Sequence, residues 1–448
     1  MKRQCLAVGI ILLFIAPNVI PSTAQQRLKP SMVPSKNTWS SLNHDDVKDI
    51  LHNNLELTTY KNRFFPIYIL NNNDLKGFRG KLHGVVSGSG TKNDPYIISG
   101  WELQSRYLFN RLHRSDGIHF ENIDKHVIIK NNYLHGFTYL NDADGIELFN
   151  CYNITVENNN ITGCHRAVCC WAYPGGSLCL VQKNILWENF CGICVTYSHG
   201  MIVNNTIFNN NRGIVCNSAK ALVAGNTVFS NSFVGMNLIG EDASLITSNT
   251  IYENNHSGIG VGVPDYDFNL TSLIKENTIF SNGWGISCWI PMNVTIQNNS
   301  ILSNLKDGIY VSDSTPRIID NDISANGGCG IYSCGDRAFL IDHNTISNHE
   351  IGIYGYLSDS LIITNNNFTL NSLIGIDCQS SHPQVHYNNF RGNGCAVVGD
   401  GWMGPVNATW NWWGAANGPS GSGPGDGDPV NEYVDYDPWL ISPNPNAG

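Results

Sequence analysis

Charge is scarce in this chain. Only 14% of its 448 residues are Asp, Glu, Lys or Arg, and the formal net charge is −10. No basic stripe is present, which argues against a nucleic-acid-binding surface. Surfaces rich in Asn, Ser and Gly suit neutral sugars, and they equally suit the exterior of a soluble repeat protein.

Long apolar runs are absent after the N-terminus. One run, residues 6–16, follows two basic residues and precedes Ser22-Thr23-Ala24, which is the pattern of a secretory signal peptide with a small-residue cleavage site. This run is too short to span a bilayer. We therefore expect residues 1–24 to be a signal peptide, and the mature protein to be secreted, periplasmic or at the cell surface, with no transmembrane anchor.

No helix-sized segment interrupts the later sequence, which repeats two phrases every 21 to 28 residues. The first is a small residue followed by an apolar alternation, as in Gly308-Ile309-Tyr310-Val311, and the second is Asn-x-apolar. The small residue recurs at Gly117, Gly145, Ala167, Gly192, Gly213, Gly235, Gly258, Gly285, Gly308, Gly330, Gly352, Gly375 and Ala396. This repeat predicts an all-β solenoid of about 13 stacked coils.

A single coil illustrates the predicted geometry. Ile309 and Val311 point inward and Tyr310 points outward, because successive residues of a strand face opposite sides. Two further short strands, at 318–319 and 322–323, complete the coil. Stacked coils lie about 4.8 Å apart, so equivalent residues of neighbouring coils align in columns.

The Asn of the second phrase forms one such column. It recurs at Asn132, Asn159, Asn184, Asn205, Asn226, Asn249, Asn277, Asn299, Asn321, Asn344, Asn366 and Asn388. A buried Asn amide can be satisfied by the equivalent Asn stacked on it. The column therefore predicts a structural ladder and requires no catalytic role.

The repeat resembles the right-handed parallel β-helix superfamily, which includes pectate lyases, polygalacturonases and NosD-type accessory proteins. The resemblance covers residues 85–440; its opening at 88–98 and its close at 411–440 are similar to NosD-like proteins. It implies a single-stranded right-handed parallel β-helix of the pectin-lyase-like kind. We expect residues 25–84 to be a linker and N-terminal cap, and 441–448 a C-terminal tail. One such solenoid hosts many activities.

Thirteen cysteines follow the predicted signal peptide. Cys169 and Cys194 face outward on neighbouring coils, within disulfide range, and with nearby cysteines they could instead hold a soft metal. Four others occupy an inward position and are predicted to be buried thiols: Cys170, Cys216, Cys288 and Cys378. We assign no metal ligands from the sequence.

An aromatic column occupies the outward position of the first strand in three consecutive coils. In enzymes of the resembled superfamily this position lines the substrate groove. Here it holds Tyr310, Tyr332 and Tyr354, followed by Asp377. The rings could stack on sugar rings, or they could simply stabilise adjacent strands. We predict these four residues as a carbohydrate-binding surface.

An acidic group occupies the first coils. Asp116 and Asp144 precede the Gly of their coils, and His119 and Glu147 follow it by two residues. Carboxylates one coil apart repel each other, which raises a pKa or recruits Ca²⁺. Asp-Gly is also an ordinary turn. We predict these four residues as candidate catalytic residues, with the insertion 137–143 as one wall of a cleft.

Enzyme signatures of the resembled superfamily are mostly absent. The clustered Asp residues, Gly-His-Gly and Arg-x-Lys of polygalacturonases have no counterpart, nor has the pectate-lyase combination of Ca²⁺-binding acids with a catalytic Arg. We therefore favour a secreted or surface β-helix monomer that recognises a polysaccharide or glycan. Three alternatives remain open: a polysaccharide hydrolase or lyase, a NosD-like accessory protein in metal delivery, and a structural spacer or adhesin.

Overall fold

The chain winds into a parallel β-solenoid in which three sheets run side by side. The computed structural model describes residues 60–105, 116–137, 143–172, 178–240, 244–262, 272–289, 294–335, 339–358 and 360–448. These residues fall within the compact unit Glu56–Gly448. The predicted signal peptide, the linker up to residue 59 and five residues of the predicted insertion at 137–143 lie outside the described residues.

Each coil contributes strands to the sheets in turn. Sheet 1 contains Ile67–Ile69, Ile118–Glu121, Ile146–Phe149, Arg166–Trp171, Cys191–Thr196, Arg212–Asn217, Val234–Ile239, Ser257–Gly262, Trp284–Trp289, Ile309–Ser312, Ile331–Cys334, Ile351–Tyr356, Ile374–Gln379, Cys395–Gly399, Gly427–Val430 and Pro419–Gly421. Sheet 2 contains Val85–Ser87, Tyr96–Ser99, Val127–Lys130, Tyr152–Glu157, Leu178–Gln182, His199–Val203, Lys220–Ala224, Leu245–Thr247, Ser272–Lys275, Val294–Gln297, Arg317–Ile319, Leu340–Asp342, Ile362–Thr364, Gln384–His386, Val406–Asn407 and Val434–Asp435. Sheet 3 contains Lys61–Arg63, Trp101–Gln104, Tyr133–His135, Asn160–Thr162, Ile185–Trp187, Thr206–Phe208, Thr227–Phe229, Thr250–Tyr252, Thr278–Phe280, Ser300–Leu302, Asp322–Ser324, Thr345–Ser347, Asn367–Thr369 and Asn389–Arg391.

Neighbouring strands of these sheets pair in parallel, with one exception. Val85–Ser87 pairs antiparallel with Tyr96–Ser99 at the start of sheet 2. Between residues 118 and 391, twelve successive coils of the described chain contribute a strand to all three sheets. The predicted solenoid is confirmed, with a coil number close to the predicted value of about 13.

The small residue at or just before the start of the sheet 1 strands allows the close approach of the next coil. A Cβ atom on Gly330 would lie 2.6 Å from the carbonyl oxygen of Gly352, which is nearer than real Cβ contacts come. The residues that follow pair in register, and the inward Ile309, Ile331 and Ile353 are at most 1% exposed. The predicted stacking of the glycines and the predicted core positions are therefore confirmed.

The predicted Asn ladder closes the corner between sheets 2 and 3. The Nδ2 of Asn321 donates to the Oδ1 of Asn344 in the next coil at 2.9 Å. The same bond repeats from Asn132 at one end to Asn411 at the other. Each amide also donates to a backbone carbonyl, as Asn321 does to Ile296. The buried amides therefore have partners in the manner that the sequence predicted.

A second Asn ladder, which the sequence analysis missed, lies five residues after the first and begins at Asn189. Asn304 donates through Nδ2 to Asn326 Oδ1 at 2.9 Å. In the next coil the Asn is replaced by His349, which is 3% exposed. Asn326 Nδ2 lies 3.1 Å from His349 Nε2, and His349 Nδ1 lies 3.3 Å from Asn371 Oδ1. A neutral imidazole protonated on Nδ1 satisfies both neighbours.

Both ends of the apolar core are covered. The 3-10 helix Asn72–Leu75 and the α-helix Gly77–Leu82 precede the first complete coils, and Leu75 is 1% exposed in the core. At the other end, Trp413 is fully buried and stacks on Phe390 with ring centroids 5.1 Å apart. In the described parts of the chain, no helix has both the length and the apolar character needed to cross a membrane.

Candidate functional site

Sheet 1 brings three of the predicted acidic-end residues together. His119 and Glu147 pair on neighbouring strands, and His119 Nδ1 lies 2.6 Å from Glu147 Oε2. The same nitrogen lies 3.3 Å from Asp116 Oδ2. His119 and Asp116 are 4% and 6% exposed, so this arrangement is nearly closed to solvent. We name Asp116, His119 and Glu147 the acidic cluster.

Neutral donors hold one oxygen of each carboxylate in the acidic cluster. The backbone N–H of Asp144 donates to Asp116 Oδ1 at 2.9 Å. The indole N–H of Trp171 donates to Glu147 Oε1 at 2.9 Å. Because one oxygen of each carboxylate is held in this way, the other is directed at His119 Nδ1.

The fourth predicted catalytic residue, Asp144, has a different partner. Its carboxylate is fully buried. Arg166 Nε donates to Oδ1 at 2.9 Å and to Oδ2 at 3.0 Å, and Arg166 Nη2 lies 2.7 Å from Oδ2. Such a two-pronged pair is a strong charge-assisted interaction. Asp144 therefore contributes to the acidic cluster through its backbone N–H, while its side chain anchors Arg166.

Opposing effects set the protonation of these groups. Burial lowers the pKa of His119, but hydrogen bonds to Asp116 and Glu147 raise it to about 9. Burial raises the pKa of Glu147, but hydrogen bonds from His119 and Trp171 lower it to about 2. Burial raises the pKa of Asp144 to about 7 against the lowering effect of Arg166. Near neutral pH, His119 and Glu147 are therefore an ion pair.

The acidic cluster is also the group whose chemistry suits a metal ion. Among the described residues, Asp116, His119 and Glu147 each offer one ligand atom, and these atoms lie within 4.8 Å of one another. The cluster could also transfer a proton, since it contains an imidazolium and carboxylates in hydrogen-bond contact. Its low exposure limits either role to small molecules or ions.

A thiol pair follows the acidic cluster in the same outward column. Cys169 pairs with Glu147 on one side and with Cys194 on the other, as the predicted coil alignment requires. Both are free thiols, and the hydrogen bond between them raises the pKa of Cys169 while lowering that of Cys194 to about 6. The four cysteines predicted to be inward are at most 3% exposed: Cys170, Cys216, Cys288 and Cys378.

The predicted tyrosines form a continuous stack further along sheet 1. The ring centroids of Tyr310 and Tyr332 are 5.2 Å apart, and those of Tyr332 and Tyr354 are 5.3 Å apart. Trp289 extends the stack, with its centroid 4.7 Å from that of Tyr310. All four side chains are partly exposed or exposed. We name Trp289, Tyr310, Tyr332 and Tyr354 the aromatic column.

Asp377 stands at the end of the aromatic column. It pairs in register with Tyr354 and is 7% exposed. Gln379 Nε2 donates to Asp377 Oδ1 at 2.6 Å. Burial raises the pKa of this carboxyl group. Asp377 is therefore a mostly covered neighbour of the rings, less accessible than the sequence pattern suggested.

Sequence reasoning missed Arg166, Trp171 and Trp289. Arg166 directly precedes the small residue of its coil, as Asp116 and Asp144 do in theirs. Two acids followed by an arginine at one repeat position is a signal that could have found the ion pair. Trp171 and Trp289 lie four residues after the small residue, at the second outward position of the strand, which the prediction did not consider.

Solved structures are similar to the chain at low identity. A double mutant of the periplasmic alginate epimerase AlgG has a TM-score of 0.50 at 15% identity, over 66% of this chain and 85% of that chain. The AlgE6 A-module, a mannuronan C-5 epimerase of Azotobacter vinelandii, has a TM-score of 0.38 at 13% identity, over 77% and 88%. The catalytic domain of a GH87 alpha-1,3-glucanase in complex with tetrasaccharides has 0.42 at 14% identity, over 77% and 67%.

Family models match the chain in two adjoining segments. Residues 99–283 match the model of the periplasmic copper-binding protein NosD, and residues 284–407 match that of the right handed beta helix region. No curated protein matches the chain. The acidic cluster and the thiol pair lie in the first segment, and the aromatic column lies in the second. Together with the coil geometry, the two matches show a right-handed parallel β-helix repeat protein that is similar to NosD over residues 99–283.

Proposed function

We propose that this protein binds a polysaccharide along the outer face of sheet 1, with the aromatic column as its main contact surface. The observation that carries the proposal is the alignment of Trp289 and three tyrosines at centroid spacings of 4.7, 5.2 and 5.3 Å. An extended sugar chain running along the solenoid would meet one aromatic side chain per coil. Aromatic rings contribute apolar contact area to such ligands, and the tyrosine hydroxyls add polar groups.

The mutual stacking of the rings limits how a sugar could contact them. Nearly parallel rings 5.2 Å apart, as in Tyr310 and Tyr332, cover part of each other's faces. Each ring therefore offers its edge, its hydroxyl group and only part of a face. A polymer that contacts several coils at once compensates for the modest contribution of each ring, whereas a monosaccharide does not.

The charges near the aromatic column favour a neutral polymer over an anionic one. Asp307 accepts a hydrogen bond from Trp284 Nε1 at 3.1 Å, and Asp377 follows Tyr354 in the column. Lys306 lies over the Trp284 ring, with Nζ 3.6 Å from its centroid. Carboxylates beside the rings would repel a uronate chain. The shared fold with an alginate epimerase is an analogy at fold level only, and an anionic substrate is not carried over from it.

The test is binding to a panel of neutral and anionic polysaccharides, with product release measured in the same samples. Replacing all three tyrosines by Ala should weaken the best ligand at least tenfold, since each ring is worth about 0.5–1.5 kcal/mol. A double replacement of Tyr252 and Phe280, which stack at 5.0 Å on sheet 3, is the matched control. Unchanged binding by the triple variant would refute the proposal, as would equal loss in the control.

The thiol pair favours a second function, the handling of copper outside the cytoplasm. The NosD model, named for a periplasmic copper-binding protein, covers Cys169 and Cys194. Thiolates of this kind suit a soft cuprous ion. The pair lies in adjacent coils in parallel register, and Cys194 is the more exposed of the two. These two sulfur atoms would be the ligands.

Competition for Cu(I) against a chelator of known affinity tests this second function. A Cys169→Ser/Cys194→Ser variant should lose the tightly bound equivalent. The inward pair Cys216→Ser/Cys288→Ser serves as the control, because those thiols are buried away from this face. Retention of copper by the first variant would exclude the thiol pair as the copper site.

A further inference from the structure

The acidic cluster has the ligand composition of a metal site with one open position. One imidazole nitrogen and two carboxylate oxygens converge, with His119 Nδ1 lying 3.3 Å from Asp116 Oδ2. Ligands about 2.0–2.2 Å from a tetrahedral ion are about 3.4 Å apart, so this pair already has a suitable separation. Three protein ligands and one solvent molecule is a common arrangement for Zn²⁺.

The surroundings of the acidic cluster orient its ligand atoms. Asp144 N–H holds Asp116 Oδ1, and Trp171 Nε1–H holds Glu147 Oε1, each at 2.9 Å. Metal-binding carboxylates are usually held in this way by outer hydrogen bonds. Arg166 balances the buried charge of Asp144, so that carboxylate does not compete for the ion.

A second observation is the unpartnered nitrogen on the far side of the imidazole. His119 Nε2 is buried and makes no hydrogen bond. The nearest carboxylate oxygen, Glu121 Oε2, is 3.8 Å away, too far for a hydrogen bond. Metal-binding histidines almost always donate their second N–H to such a carboxylate. The structure therefore contains the outer partner, but just out of range.

Binding of an ion requires the imidazole of His119 to move. His119 Nδ1 is 2.6 Å from Glu147 Oε2, too close for two ligands of one ion, while Nε2 is 3.8 Å from Glu121. Moving Nδ1 about 0.8 Å away from Glu147 Oε2 would open the first distance to the tetrahedral value, and a movement of the ring towards Glu121 would bring Nε2 nearer to its outer partner. The proton on Nδ1 now occupies the place that an ion would take.

We propose that Asp116, His119 and Glu147 bind a divalent transition-metal ion of the Zn²⁺ class, with Glu121 as the outer partner of His119. The imidazole ligand disfavours Ca²⁺, which takes oxygen ligands in larger number. The absence of sulfur among the three ligands disfavours Cu(I). The site is independent of polysaccharide binding at the aromatic column, whose nearest ring, Trp289, lies six coils further along from Glu147, about 29 Å at the stacking distance.

The experiment is a titration of metal-stripped full-length protein with Zn²⁺ and with Co²⁺, following heat and visible absorbance. We expect one equivalent bound by the wild type, and at least tenfold weaker binding by His119→Ala and by Glu147→Gln. Glu121→Ala, which removes the outer partner and keeps the three ligands, should weaken the binding of Zn²⁺ by about tenfold. The Cys216→Ser/Cys288→Ser variant is the matched control, since those thiols are buried away from this face and the variant should bind Zn²⁺ like the wild type.

X-ray absorption of the Zn²⁺-loaded wild type keeps the proposal testable if a variant fails to fold. One nitrogen and two or three oxygen neighbours at about 2.0–2.2 Å are expected. Sulfur neighbours would overturn the proposal, because they would place the ion at the thiol pair. Absence of a bound equivalent in the wild type, or unchanged affinity in folded His119→Ala and Glu147→Gln proteins, would overturn it as well.

Discussion

The two ends of one face of sheet 1 have opposite chemistry. At the N-terminal end, the acidic cluster is charged, internally hydrogen-bonded and nearly closed, with His119 4% exposed. Six coils further along from Glu147, the aromatic column begins at Trp289 and is uncharged and partly exposed. His119 and Glu147 occupy the same outward position of the repeat as the three tyrosines, above the same apolar core. The difference shows that the repeat constrains the inward residues and leaves the outward ones free to acquire separate roles.

The largest expected effect tests this separation of inward from outward positions. Ile331→Asp should abolish folding, because it buries an unpaired charge in a position with no exposure. Tyr332→Asp, one residue along and outward, should remain folded. Circular dichroism and thermal unfolding of both variants would decide it. A folded Ile331→Asp protein would contradict the assigned core.

Removing Arg166 tests whether the N-terminal end depends on its buried charges. Arg166→Met leaves the fully buried Asp144 without its partner, which should cost about 3–5 kcal/mol of unfolding free energy. Lys306→Met, which removes an exposed cation beside the aromatic column, should cost at most about 1 kcal/mol. Denaturant unfolding of both variants makes the comparison. Equal losses of unfolding free energy would mean that the N-terminal end does not depend on its buried charges more than the aromatic column depends on Lys306.

His349 makes the second Asn ladder pH-dependent in the coils of the aromatic column. Burial lowers its pKa to about 4, against a smaller raising effect of Asn371, so the unfolded chain binds a proton more readily than the folded one. Its contribution to stability is therefore complete above about pH 6.5 and is lost as the pH falls through about 4. The coils of the thiol pair carry Asn189 and Asn210 in this ladder, so they contain no titrating group there.

The measurement is unfolding free energy between pH 4 and pH 7 in the wild type and in His349→Asn. Asn is the residue that the neighbouring coils place in the ladder, so this variant keeps the hydrogen bonds and removes the titrating group. The variant should lose about 1–3 kcal/mol less than the wild type on acidification. Parallel pH profiles would show that His349 is not responsible.

The smallest expected effect concerns the stability of the aromatic column itself. Tyr332→Ala removes two ring contacts, with Tyr310 and Tyr354, and should cost about 0.5–1.5 kcal/mol for each. Tyr332→Phe keeps the rings and should be nearly neutral. If the Ala variant loses ligand affinity but little stability, the column serves binding; a large loss of stability with unchanged binding would make it structural.

Much of the architecture could be predicted because the same pattern of strands and turns recurs in every coil. The alternation in Gly308-Ile309-Tyr310-Val311 defines inward and outward residues, and the aligned coils place Cys169 beside Cys194. The second Asn ladder was equally visible, five residues after the first, and was missed because one conspicuous Asn column had already explained the composition.

The partners of outward side chains could not be predicted in the same way. The alignment placed His119 opposite Glu147, but not the length of the hydrogen bond between them or the unpartnered Nε2 on the other side of the ring. Asp144 occupies the same repeat position as Asp116, yet its carboxylate accepts a hydrogen bond from Arg166 rather than facing His119. A long side chain can contact residues of either neighbouring coil, and its rotamer determines which of them it contacts.

The sequence by itself determined the solenoid, its register and the division of residues between core and surface, since a period of about 23 residues with strand alternation admits one way of burying the apolar side chains. Only the tertiary structure decided which outward residues act together. In the tertiary structure, Trp171 and Arg166 bond to the acidic residues of the first coils, whereas the aromatic column is partly exposed to solvent. The reason is that burial and side-chain contact on the outer face depend on neighbouring coils and corner segments, which the repeat pattern of a single coil does not specify.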